Sequence, residues 1–132
     1  MVRHIFFMSL IFLTACSANK STDISYESNV FTSVNNDKAI VMQSGTEFQI
    51  NLQSNPTTGF SWAVDATTPS VVTILSKEFN ADSSDRVGVP GKTTWNLIAN
   101  QVGTTLLHFS YKQQWGKNVK PSRVVTFEVD VR

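Results

Sequence analysis

Cysteine and histidine are nearly missing from this 132-residue chain, which has one of the first and two of the second. A single thiol, Cys16, can close no internal disulfide. Zinc sites draw on several Cys or His ligands, and beyond His4 only His108 remains. A nucleophilic site needs a base held by a third group. His108 is the sole candidate for that base outside the N-terminal segment, and strand alternation turns it outward. The carboxylates Asp65, Glu78, Asp82 and Asp85 have no telling spacing, and Asp82 to Asp85 reads as a solvated loop. No glycine-rich phosphate loop joins a strand to a helix. Nothing calls for a metal or a cofactor, and recognition by loops is a better starting point than catalysis. An excess of one charge is lacking too, with 11 basic and 10 acidic residues. That balance argues against a nucleic-acid binder, which normally carries a basic surplus.

Long hydrophobic runs are absent except at the start, where Ile5 to Leu13 is apolar but for Ser9. This run is too short for a permanent membrane span and follows a basic start, Met1-Val2-Arg3-His4, so it reads as an export signal. With Leu13-Thr14-Ala15-Cys16 at its end, it resembles a bacterial lipoprotein signal, in which the cysteine is lipidated and becomes the new N-terminus. The alternative is an ordinary cleaved signal with a chance cysteine. The resemblance implies export to the bacterial cell envelope and a lipid anchor on a membrane surface; Ser17 fits an outer-membrane-sorted pattern. The expected organisation is a signal over residues 1–15, a lipidated Cys16 with a flexible polar tether to residue 36, and one domain over residues 37–132.

That domain is expected to be all-β. Phe48, Ile50 and Leu52 alternate with polar residues, the period of a half-buried strand. The pattern returns at Phe60, Trp62 and Val64, at Trp95, Leu97 and Ala99, and at Thr105, Leu107, Phe109 and Tyr111. It closes the chain at Val125, Phe127, Val129 and Val131, and further strands are expected over Lys38 to Gln43 and Val71 to Phe79. About seven short strands between turn signals predict a β-sandwich. Trp62 and Trp95 fall on apolar faces and belong to its core.

Three loops stand out. In Asn55-Pro56-Thr57-Thr58-Gly59-Phe60, proline fixes one φ, glycine permits a positive φ, and the threonines have few rotamers to lose. Such a loop is pre-organised, which lowers the cost of association. The second, Asn80 to Lys92, contains Gly88-Val89-Pro90-Gly91, whose backbone can approach a partner. The third, Lys112 to Ser122, sets Trp115 among Gln113, Gln114, Gly116 and Lys117, a typical interface anchor. Each has a plainer reading: a tight turn, a flexible loop, and a lid over the core. In a sandwich all three can gather at one end.

NPTTGF followed by a tryptophan, then G-x-P-G, then Tyr-x-x-x-Trp resembles the chagasin family of cysteine-protease inhibitors, from about Lys38 to Val131. The resemblance implies an immunoglobulin-like antiparallel β-sandwich of about seven to eight strands, and a reversible, non-covalent inhibitor, not an enzyme, whose three loops enter the cleft of a papain-like protease. It implies that Asn55 to Phe60 form the central loop, with Thr57 nearest the protease's catalytic cysteine and histidine. Gly88 to Gly91 would make backbone contacts beside it, and Trp115 would pack on the opposite lip. Where the family often has Arg-Pro before this tryptophan, the chain has Gln113-Gln114; Lys112 and Lys117 are candidates to restore the charge. A monomer acting one-to-one is the expected form. The rival readings are an immunoglobulin-like envelope or adhesion module without a protease target, and an enzyme subunit or carbohydrate-binding domain using Trp115 as a stacking platform.

Overall fold

Alternation of apolar and polar side chains writes most of this structure. The computed structural model describes residues 29–82 and 88–132. The expected signal, Cys16 and the first part of the tether lie outside the described residues. Eight strands are seen among the described residues: β1 (Val30–Thr32), β2 (Ala39–Met42), β3 (Glu47–Ser54), β4 (Phe60–Ala66), β5 (Val72–Ala81), β6 (Gly91–Ala99), β7 (Gly103–Gln113) and β8 (Arg123–Val131). They form two four-stranded sheets, β1-β3-β6-β5 and β2-β8-β7-β4.

The inward residues are those that the period of two selects. Phe48, Ile50 and Leu52 of β3 stand opposite Leu97, Trp95 and Thr93 of β6 within one sheet, all buried, and Ala99 is buried on the same strand. Leu107, Phe109 and Tyr111 of β7 and Val125, Phe127, Val129 and Val131 of β8 supply the other sheet's inner face. Trp95 meets Phe109 across the interior edge-to-face, ring centroids 4.8 Å apart, and Phe109 meets Phe127 at 5.8 Å. Each fully buried aliphatic or phenyl side chain contributes about 1.5–3 kcal/mol, so a core of this kind stands without disulfides. Trp62 and Trp95 are 3% and 1% exposed, as their strand faces require.

Two features depart from the sequence reading. Val30–Thr32 lies inside the stretch expected to be tether, yet pairs with Gln49, Ile50 and Asn51 of β3, so the sandwich begins before residue 37. Phe31 packs on Phe48 at 6.2 Å, which gives that short strand an apolar anchor. Four of the six strand pairings are antiparallel, but β1 with β3 and β2 with β8 are parallel. Both parallel partners are short N-terminal strands added at sheet edges.

Register then fixes where the loops fall. Ser54 of β3 is opposite Gly91 of β6, which is opposite Ala81 of β5. In the other sheet Phe60 of β4 is opposite Gln113 of β7, and Tyr111 is opposite Arg123 of β8. The β3–β4, β5–β6 and β7–β8 connections therefore all emerge from the same end of the sandwich.

Candidate functional site: a three-loop edge

The first loop holds itself in shape. Pro56–Thr58 make one 3-10 turn, with Gly59 closing it at φ 78°. Asn55 caps the turn: its Oδ1 accepts from the Thr57 amide at 3.2 Å and from the Thr57 hydroxyl at 2.6 Å. The Thr58 hydroxyl donates to the Asn55 carbonyl at 2.7 Å. Every polar residue of NPTT thus bonds within the turn, and Pro56 sits where a missing N–H does no harm. Pro56, Thr57 and Thr58 are exposed, while Asn55, Gly59 and Phe60 are half-buried.

A residue outside the loop binds it to the sandwich. The Tyr111 hydroxyl accepts from the Asn55 amide at 2.9 Å and donates to the Asn55 carbonyl at 3.2 Å. Phe60 stacks on the Tyr111 ring at 5.5 Å, beneath the loop, and Trp62 lies against it at 5.0 Å. On the other side, the Arg123 guanidinium covers Tyr111 at 4.3 Å and Trp62 at 5.2 Å. Its Nη2 also donates to the Gln53 carbonyl at 3.0 Å, an oxygen that accepts from Trp62 Nε1 at 3.0 Å as well. Such a cation over two rings adds about 0.5–2 kcal/mol and fixes the rings in place. Sequence reasoning missed Tyr111 and Arg123 as loop supports. The available signal was a tyrosine on an inward face, whose hydroxyl must find a partner.

The other two loops touch the first. The Trp115 ring lies so close over Gly59 that a Cβ there would fall inside it. Trp115 is 62% exposed, so it roofs Gly59 and still presents most of its surface outward; it does not act as a lid on the core. On the opposite flank, Gly88 (φ 86°) approaches the Thr57 hydroxyl, 3.9 Å from where a Cβ would stand. The order across the edge is therefore second loop, first loop, third loop.

The flanking segments are shorter than the sequence predicted. β5 continues to Ala81 and β6 begins at Gly91, because Asn80 pairs with Lys92 and Ala81 with Gly91. Gly91 is buried in the sheet, where a Cβ would strike the Asn80 carbonyl and the Phe79 ring. Its lack of a side chain serves strand packing, and the exposed part of GVPG is Gly88 to Pro90, with Val89 half-buried. Gln113 ends β7 opposite Phe60, half-buried, whereas Gln114 is exposed beside Trp115.

Among the described residues, nothing on this edge pairs a nucleophile with a base. His108 lies on the outer face of β7, exposed, its Nδ1 3.0 Å from the Thr126 hydroxyl. Among the described residues no group of His, Cys, Asp and Glu is close enough to share a metal.

Fold and edge together define a class: a β-sandwich that offers a rigid, glycine- and tryptophan-bearing loop edge to another protein. Residues 41–131 match the chagasin family peptidase inhibitor I42 model, and the chain belongs to that family. It is a cysteine-protease inhibitor and not an enzyme. Amoebiasin-1 of Entamoeba histolytica is 31% identical over 103 residues, covering 76% of this chain and 97% of the relative. Chagasin of Trypanosoma cruzi is 29% identical over 93 residues, covering 67% of this chain and 84% of the relative. The crystal structure of the cysteine protease inhibitor EhICP2 from Entamoeba histolytica superposes with a TM-score of 0.70 at 25% identity, covering 78% of this chain and 94% of that one.

Proposed function

We propose that the protein inhibits papain-like cysteine proteases by seating this three-loop edge in the active-site cleft, reversibly and without a covalent bond. The observation that carries the reading is the contact of both flanking loops with the central one: Trp115 over Gly59, and Gly88 beside Thr57. In this arrangement Thr57 and Thr58, exposed at the tip of the turn, reach the catalytic cysteine and histidine and keep substrate away. Gly88 to Pro90 line the substrate side by their backbone, and Trp115 packs on the opposite lip with Gln114 beside it. The turn's internal hydrogen bonds and Tyr111 fix its shape before binding, so little entropy is lost on docking.

Around this activity we infer a bacterial envelope setting. Residues 1–15 direct export, Cys16 carries the lipid, and the polar residues after it let a monomer reach a protease from the membrane surface. An envelope or adhesion module without a protease target is disfavoured by membership in an inhibitor family.

Titration of the protein into papain, followed with a fluorogenic peptide, tests the mode. Competitive, fully reversible one-to-one inhibition is expected. Thr57→Glu places a charged, bulkier side chain at the tip and is expected to weaken inhibition strongly with little change in melting temperature. Trp115→Ala removes a hot-spot aromatic and is expected to lose about 2 kcal/mol or more, roughly thirtyfold in dissociation constant. If both variants inhibit as well as wild type, these loops are not the contact edge.

A further inference from the structure

Charge is not spread evenly over this nearly neutral chain. From residue 86 to residue 127 the sequence holds six Lys or Arg residues and no Asp or Glu. Five of them, Lys92, Lys112, Lys117, Lys120 and Arg123, lie among the described residues, and the fold collects them at the loop end. Lys92 follows Gly91 in β6, Lys112 is the last residue but one of β7, and Arg123 opens β8. Lys117 and Lys120 lie in the connection between those last two strands.

Four of the seven carboxylates among the described residues lie toward the opposite end, and Asp37 sits outside the three loops, its amide bonded to the Thr126 carbonyl. Glu47 opens β3 and Asp130 nearly closes β8, both away from the loops, with Glu128 and Asp65 on the same side. Asp82, just after β5, is the one carboxylate among the described residues in the loops of this edge, and Glu78 is level with Thr94 below it. The ion pair found among the described residues, Arg132 with Asp130, is at the acidic end and involves none of the five cations.

Two concavities give this basic end its shape. Lys92 and Arg123 line a cleft of about 280 Å³ with the hydroxyl residues Thr32 and Ser33. Lys112 borders another of about 380 Å³ inside the third loop, walled by Gln113, Gln114 and Asn118. A lysine beside three primary amides can receive a carboxylate, the amides donating N–H bonds while the ammonium supplies the charge.

We propose that this end is a selection surface for acidic partners: among papain-like proteases that the edge fits, it favours those whose cleft rim carries carboxylates. The inference rests on the three-loop reading above and names the partner chemistry that reading leaves open. Complementary rim charges act mainly on the rate of encounter, and salt screens them. Residues in the three contact segments act instead on dissociation.

The test uses two papain-like proteases of similar peptide preference, one with an acidic cleft rim and one with a basic rim. Association rates are measured by stopped flow at ionic strengths from about 0.01 M to about 1 M, over which the Debye length shrinks from about 30 Å to about 3 Å. Wild type is expected to capture the acidic-rimmed protease at least about tenfold faster at low salt, the advantage vanishing at high salt. Lys92→Glu/Lys120→Glu, at the end of the second loop and within the third but not among the residues assigned to touch the protease (Thr57, Thr58, Gly88 to Pro90, Gln114 and Trp115), should erase or reverse that advantage and match wild type at high salt. A Lys92→Gln/Lys120→Gln pair should fall between. Equal, salt-insensitive rates for both proteases would overturn the selection and leave the inhibitory edge intact. A variant slowed as much at high salt as at low would overturn it too, by making the lysines local contacts. Failure of wild type to inhibit either protease would remove the edge reading and this inference together.

Discussion

At Tyr111 one phenol closes two hydrogen bonds with the amide and carbonyl of Asn55, so a residue on β7 fixes the entry to a loop 56 positions earlier. Tyr111→Phe keeps the ring, its stacking on Phe60 and its place under Arg123, and removes only the hydroxyl. The half-buried Asn55 amide then lacks a partner, at about 1–3 kcal/mol. Part of that is relieved by loosening the loop, which must be re-ordered on binding. The expected outcome is inhibition weakened about tenfold with a smaller loss of thermal stability, read from inhibition constants and melting curves of the same preparation. An unchanged inhibition constant would show that the turn's own capping bonds suffice. In the sequence this tyrosine was legible as the last inward residue of a strand and as the head of the Tyr-x-x-x-Trp motif. The pairing with Asn55 was not, because it depends on the register that sets Tyr111 opposite Trp62 and on where the first loop leaves β3.

The elements themselves were readable in proportion to how much core each one buries. β3, β6, β7 and β8 hold the clean alternations and are buried on one face with near-perfect period. β1 escaped notice because it has three residues and one aromatic, and its reason to exist is the exposed backbone edge of β3 rather than any pattern of its own. The end of β5 was misjudged for a related cause: its residues are almost all exposed, and polar Asn80 extends the strand only because Lys92 pairs with it. The identities of the loop residues could be read from the sequence, since Pro56 and Gly59 have conformational meanings wherever they occur; their meeting at Trp115 could not. β4 offers the sharpest test at this scale. Trp62 buries its ring against Tyr111, donates to the Gln53 carbonyl and receives Lys77 Nζ on its own carbonyl at 2.9 Å. Trp62→Ala should cost about 3–5 kcal/mol, as large-to-small core aromatics do. A melting temperature within a degree or so of wild type would mean that β4 contributes little to the fold.

For the whole molecule, the described fold begins near Asn29, a dozen mostly polar residues after the proposed lipid site, Cys16. Cys16→Ser is therefore expected to abolish incorporation of a fatty-acid analogue while leaving papain inhibition and the melting curve as they were. Equal labelling of the two proteins would end the lipoprotein reading without touching the inhibitory one. The proposed anchor also bears on orientation. β1 lies on the sheet edge and runs parallel to β3 toward the loop end, so the chain enters β1 from the side away from that end.

The contact of Trp115 with Gly59 also bears on whether the hexapeptide proposed to inhibit is portable. Transplanted alone into another sandwich, Asn-Pro-Thr-Thr-Gly-Phe would keep its capping bonds and lose its roof. The indole, left behind without its glycine, would have no seat. The two segments are a matched set separated by more than fifty residues of sequence, and a successful graft has to carry them both, together with the tyrosine that sits between.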